Sequence, residues 1–157
     1  MANNLGKAFE ARFKSDWEKS FPKGFLLRLP DQQSGYFGTS RNICDFIAFL
    51  KGNLFLLECK SKKGNTFPLI NLKQYDKLTT KQNIEGITVG IIVWFIEHDK
   101  ILFIPISTFD KLIEDNKKSF NIKMLGDERY KSIEIPSVKK RTFMESDYTV
   151  LLNKEDN

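Results

Sequence analysis

Histidine and cysteine are almost missing from this 157-residue sequence: His98 stands alone, and Cys44 and Cys59 are the two thiols. One histidine excludes chemistry that needs a pair, which covers most histidine-based zinc sites. Two cysteines are too few for a closed cysteine-based zinc site or a disulfide framework, and both sit in apolar strand-like runs where buried free thiols are expected. No apolar run approaches the ~20 residues of a membrane span. Met1 to Glu10 lacks the apolar block of a secretory signal, so the expectation is a soluble, cytoplasmic protein. Arginine is also scarce: Arg12, Arg28, Arg41, Arg129 and Arg141 are five of 25 basic residues, so the formal +5 charge rests mostly on lysine. Such a surplus accepts a polyanionic partner without demanding one. What these scarcities leave for catalysis is carboxylate, lysine and a bound hard cation.

The remaining composition, 41% hydrophobic and 13% aromatic, suits one globular domain over residues 1–157, with a core at about 3–118 and an extension at 119–157. Leu5, Phe9, Phe13, Trp17 and Phe21 recur every four residues between charged ones, which predicts an amphipathic helix closing near Pro22-Lys23-Gly24. Phe25 to Leu29 reads as a short strand, and Asp31 to Asn42 as a polar loop. Ile43 to Leu50 and Leu54 to Lys60 are apolar runs of strand length around Lys51-Gly52-Asn53, the clearest hairpin in the chain. Helical spacing follows over Ile70 to Asn83. Gly86 to Ile96 and Ile101 to Ile106 predict two more strands, and Ser107 is placed to cap a helix running to about Lys118. Ser132 to Pro136 and Tyr148 to Leu152 read as weaker strands. The order predicts an α/β fold, a mixed sheet flanked by helices.

Asp45, Glu58 and Lys60 break the apolar pattern of the hairpin. An ionised carboxylate in a buried strand costs several kcal/mol unless a partner offsets it. A two-residue loop at Lys51-Gly52 sets Asp45 opposite Glu58, and a loop at Gly52-Asn53 sets it opposite Lys60. Both registers put the three side chains on one face, because strands have period two, whereas a symmetric three-residue loop splits them. A divalent hard cation resolves the repulsion of two close carboxylates, and Mg²⁺ or Mn²⁺ suits an all-oxygen site that includes the Cys59 carbonyl. The competing account is an ion pair of Lys60 with Asp45 or Glu58.

Asp45, the Glu58-x-Lys60 pair and the preceding helix resemble the PD-(D/E)XK nuclease core. More narrowly, Gly6-Lys7-Ala8-Phe9-Glu10, Asp45-Phe46-Ile47, Glu58-Cys59-Lys60-Ser61, Phe67-Pro68-Leu69 and Gln74 resemble the RecU-type Holliday junction resolvases, over roughly residues 3 to 113. The resemblance implies a restriction-endonuclease-like fold, Mg²⁺-dependent cleavage of DNA, and a homodimer acting on four-way junctions. Asp45 and Glu58 then bind metal together with the Cys59 backbone carbonyl, Lys60 is the catalytic lysine, Glu10 is a helix carboxylate reaching the metal directly or through water, and Gln74 orders the site. Cys44 stands where the family has proline. The interval from Asp31 to Cys44 is short where the family carries a long stalk, so a nuclease acting on linear or single-stranded DNA, or a non-catalytic DNA-binding protein of the same fold, remains an alternative. Arg28, Arg41, Lys62, Lys63, Lys73 and Lys77 are the expected phosphate contacts, clustered beside the carboxylates.

Overall fold

A computed structural model describes residues 2–30 and 42–152, with the side chains of residues 2–4 left aside. The chain opens with helix α1 (Ala2–Ser20). Phe9, Phe13 and Trp17 along its stripe are buried, and Lys14 pairs with Glu18 at 2.6 Å on the wet side. Strand β1 (Phe25–Arg28) is followed by β2 (Phe46–Leu50) and β3 (Asn53–Lys62). Lys51 and Gly52 both take positive φ, 51° and 79°. That combination belongs to the two-residue turn whose twist matches the flanking strands. The ladder runs from Leu50 against Asn53 to Phe46 against Leu57. The first of the two same-face registers is therefore the one adopted.

After β3 come β4 (Thr66–Pro68), a 3-10 turn at Leu69–Asn71, the short helix α2 (Tyr75–Thr79) and β5 (Ile87–Phe95). Strand β6 (Lys100–Pro105), helix α3 (Ile106–Glu114), β7 (Ser119–Asn121), β8 (Ile133–Ile135), β9 (Ser137–Lys139) and β10 (Met144–Ser146) follow, and a 3-10 turn at Tyr148–Leu151 ends the described chain. The main sheet has the order β1-β2-β3-β5-β6-β8. Its β3 and β5 neighbours are parallel and the other pairs antiparallel, which makes it the expected mixed sheet. Gly90 in β5 is a packing requirement, since an added Cβ would stand 2.5 Å from the Phe103 ring and 2.7 Å from the Ile104 carbonyl oxygen.

Both faces are covered, as the continuous apolar runs require. On one face Phe13, Trp17, Phe46, Phe55 and Leu57 pack with Met144, Tyr148 and Leu151. On the other, Leu56, Ile91 and Leu102 pack with Leu78, Phe109 and Leu112 of α2 and α3. The described part of 119–157 is thus built into the same core: β8 extends the sheet, and the C-terminal turn lies on α1. No helix among the described residues is long and apolar enough to cross a membrane.

Several boundaries differ from the sequence expectation. Helix over Ile70 to Asn83 contracts to Tyr75–Thr79, because Thr79, Thr80 and Asn83 are poor helix formers. Ser107 caps nothing: α3 begins at Ile106 behind Pro105, with no side-chain cap. Tyr148 to Leu152 is a 3-10 turn rather than a strand, started by the Asp147 carboxylate accepting from the Thr149 amide at 2.9 Å.

Candidate active site

One step past the last β2–β3 pair, Asp45 stands opposite Glu58. The Cys59 amide donates to Asp45 Oδ2 at 2.9 Å, and the Asp45 amide donates to the Leu57 carbonyl at 3.1 Å. Asp45 is thereby pinned to β3 just ahead of the start of β2. In an extended strand the N–H and C=O of one residue project to the same side. The Cys59 carbonyl therefore faces the edge that carries Asp45.

Glu58 is 3% exposed and hydrogen-bonded to Asp45. Burial pushes its carboxyl up to about 8, Asp45's charge adds to that, and Lys60 pulls the other way. Lys60 Nζ lies 3.6 Å from Glu58 Oε2, half-buried beside it. The ion pair weighed against a metal site is therefore present, but it leaves Glu58 undercompensated: two carboxyl groups meet one lysine. The thiols are inert. Burial raises Cys44 to about 12 and Cys59 well above its usual value, with Asp45, Glu10 and Glu58 adding to the latter.

Glu10 lies on α1, whose Phe9 packs in the same apolar cluster as Cys59 of β3. Its carboxylate accepts from Arg28 Nε at 3.0 Å and Nη2 at 2.8 Å. Among the described residues no group of three or more His, Cys, Asp or Glu side chains gathers as a ready metal cage. Asp45 and Glu58 are a two-carboxylate set, and Glu10 is paired with Arg28. The donors nevertheless fit a hard divalent cation. All are oxygens, and the buried Asp45–Glu58 contact is relieved only by a proton or a cation.

Gln74 precedes α2 and donates to the Asn42 carbonyl at 3.4 Å, while Asn42 donates to the Pro30 carbonyl at 2.5 Å. The amide thus secures the chain three residues ahead of Asp45. Sequence reasoning missed Asn42 and also Asp110. On α3, Asp110 accepts from Tyr75, Thr79 and Gln82, which locks α2 in place. No local pattern announces a contact across some 30 residues.

Of the expected phosphate contacts, Lys62 ends β3, and Lys63, Lys73 and Lys77 are exposed in the segment that follows. Arg28 is committed to Glu10. Lys51, in the hairpin turn, sits at the far end of the strands from Asp45. Arg41 and the loop from Gln32 to Gly38 lie outside the described residues.

Comparison with known proteins shows the family and the fold. The family model described as "Recombination protein U" matches residues 29–152, which takes in Asp45, Glu58, Lys60 and Gln74 and runs beyond the core limit of 118. No curated protein matches the sequence significantly. In fold the chain is similar to Archaeoglobus fulgidus Hjc, a Holliday junction resolvase from an archaeal hyperthermophile, with a TM-score of 0.55 and 17% identity over 80% of this chain and 91% of that one. The sheet, the matched span and the Asp45–Glu58–Lys60 cluster converge: this chain belongs to the recombination protein U family.

Proposed function

We propose that this chain is a Holliday junction resolvase, an endonuclease that hydrolyses DNA phosphodiesters with Mg²⁺, or Mn²⁺ in its place, held by Asp45, Glu58 and the Cys59 carbonyl. The observation that carries this is the buried contact of Glu58 with Asp45 beside a single lysine. An uncompensated carboxyl pair is costly in a strand and is accounted for by a cation that binds there. Family membership and the shared fold support the resolvase reading. Bound at these oxygens, the cation supplies an acidified water and neutralises charge on a phosphate oxygen.

The protein's own groups do the rest. Asp45, just ahead of β2, and Glu58, on β3, face each other across the site. Lys60 Nζ, half-exposed at its mouth, orients the attacking water or stabilises charge on the phosphorane-like transition state. Water oxygen bonds to phosphorus as the P–O3′ bond breaks, which yields a 5′-phosphate and a 3′-hydroxyl. Glu10 acts through water, with its carboxylate direction set by Arg28. Gln74 holds the approach to Asp45.

One site cuts one strand, while a four-way junction has two-fold symmetry, so the working unit is a homodimer. Phe25, Leu27 and Phe49 support it. They are 54%, 46% and 50% exposed. Register sets Phe25 opposite Phe49, and Leu27 shares their face. This apolar strip at the β1 edge is of the kind that marks an association surface.

The test is cleavage of a labelled four-way junction competed against linear duplex and single strands in Mg²⁺. Preferential cutting of the junction is expected. Equal cutting of linear DNA favours the broader nuclease, and no hydrolysis of any DNA in Mg²⁺ or Mn²⁺ favours a binding protein.

A further inference from the structure

The β9–β10 hairpin is tied to α1 with unusual firmness. Strands of three residues have little stability alone. Here Asp16, 1% exposed, accepts from the Ser146 amide at 2.9 Å and pairs with Arg12 Nη2 at 2.6 Å. The Arg12 guanidinium lies 4.3 Å over the Phe143 ring and 3.7 Å from Glu145. Just beyond β10, the Tyr148 amide donates to Ser20 Oγ at 2.9 Å. The hairpin is therefore held against the helix that carries Glu10.

Its tip is closed by the Lys140 amide donating to the Phe143 carbonyl at 2.8 Å, and Lys139, Lys140 and Arg141 are exposed around it. Between tip and sheet runs a groove of about 340 Å³, lined by those three cations and Asp99 and floored by Leu5, Trp94, Ile96 and Met144. Trp94 lies beside Ser61 in the β3–β5 register and 5.8 Å from the Phe9 ring, next to Glu10. The groove thus opens at the C-terminal ends of β3 and β5, the end that holds Lys60 and Lys62.

Two ion pairs occupy the rim, Lys139 with Asp99 at 3.1 Å and Lys140 with Glu145 at 3.8 Å. Exposed pairs of this kind contribute little and exchange readily for another anion. A nucleic-acid backbone alternates anionic phosphates with apolar sugar edges, which matches a cationic rim over an apolar floor. Asp45 and the groove lie at the same end of the sheet.

We propose that the β9–β10 tip is a second DNA contact, in which Lys139, Lys140 and Arg141 bind backbone phosphates of a duplex arm while its scissile phosphodiester sits at Asp45 and Glu58. The inference rests on the nuclease reading for its ligand. The tip is a fixed basic element that sets how an arm leaves the active site.

The test measures binding of a labelled four-way junction by the full chain in EDTA across a salt series, for wild type and for Lys139→Ala/Lys140→Ala/Arg141→Ala. Each lost phosphate contact lowers the slope of log K against log salt by ~0.9, so a fall of roughly two to three is expected, with affinity about tenfold weaker at moderate salt. Single-turnover cleavage at saturating DNA in Mg²⁺ stays unchanged. Arg141→Ala alone lowers the slope by about one and carries the test should the triple variant melt early. An unchanged slope and affinity overturn the proposal. Wild type that binds but never cleaves refutes the nuclease reading and leaves the slope test standing. Wild type that does not bind DNA refutes both.

Discussion

The Cys59 amide holds Asp45 Oδ2 at 2.9 Å, so the strand that carries Glu58 and Lys60 also fixes the carboxylate facing them. Three charged groups are positioned by one strand and the turn that sets its register. The cost of that arrangement falls on Glu58, which is nearly out of water with its carboxyl pushed up to about 8.

A pH dependence follows from Glu58. Its ordinary value is 4.5 and its folded value lies above that, so without metal the fold holds an extra proton between the two and loses stability as pH rises through that window. In EDTA the melting temperature of wild type falls from about pH 5 to about pH 8 more steeply than that of Glu58→Gln, and Mg²⁺ restores part of the loss at the upper end by binding the ionised form. Parallel melting profiles of the two proteins contradict the coupling.

Asp110 supports the site at one remove. Its carboxylate accepts from Tyr75, Thr79 and Gln82, and a five-residue helix cannot hold its place unaided. Asp110→Ala is expected to speed amide exchange from Leu72 to Gln82, leave β5 and β6 protected, and lower single-turnover cleavage. Unchanged exchange in α2 removes this role.

Asp16 anchors the C-terminal segment. Replacing it by Ala removes the acceptor of the Ser146 amide and the nearer carboxylate partner of Arg12, with an expected loss of about 2–4 kcal/mol in denaturant unfolding. A loss below about 0.5 kcal/mol, the range of ordinary surface substitutions, contradicts the clamp.

The hairpin and its three charged residues are legible in the sequence for local reasons. Lys51-Gly52 separates two apolar runs, and charges at Asp45, Glu58 and Lys60 stand out against strand period. The α1 stripe is equally legible, because Phe9, Phe13 and Trp17 repeat at helical spacing. What the sequence conceals depends on distant partners. Arg28 reads as a phosphate contact until Glu10, 18 residues earlier, engages it. Tyr148 to Leu152 has strand composition, yet Asp147 starts a turn there and Ser20 receives its amide. Neither contact leaves a periodic trace.

The proposed homodimer is tested at Phe49. Phe49→Asp places a charge in the exposed strip opposite Phe25, and a shift of the sedimenting species from dimer to monomer is expected with the secondary structure intact. A wild type that sediments as a monomer at all concentrations, or a variant that remains dimeric, removes the strip from the interface.

The proposed cleavage chemistry depends most directly on Asp45. Cleavage and binding of a labelled four-way junction in Mg²⁺ are measured for wild type and Asp45→Asn, which keeps an acceptor for the Cys59 amide while removing the charge. The expected result of this proposal is cleavage by wild type, a loss of at least ~10²-fold in the variant, and binding retained in both. Undiminished cleavage by Asp45→Asn would contradict it.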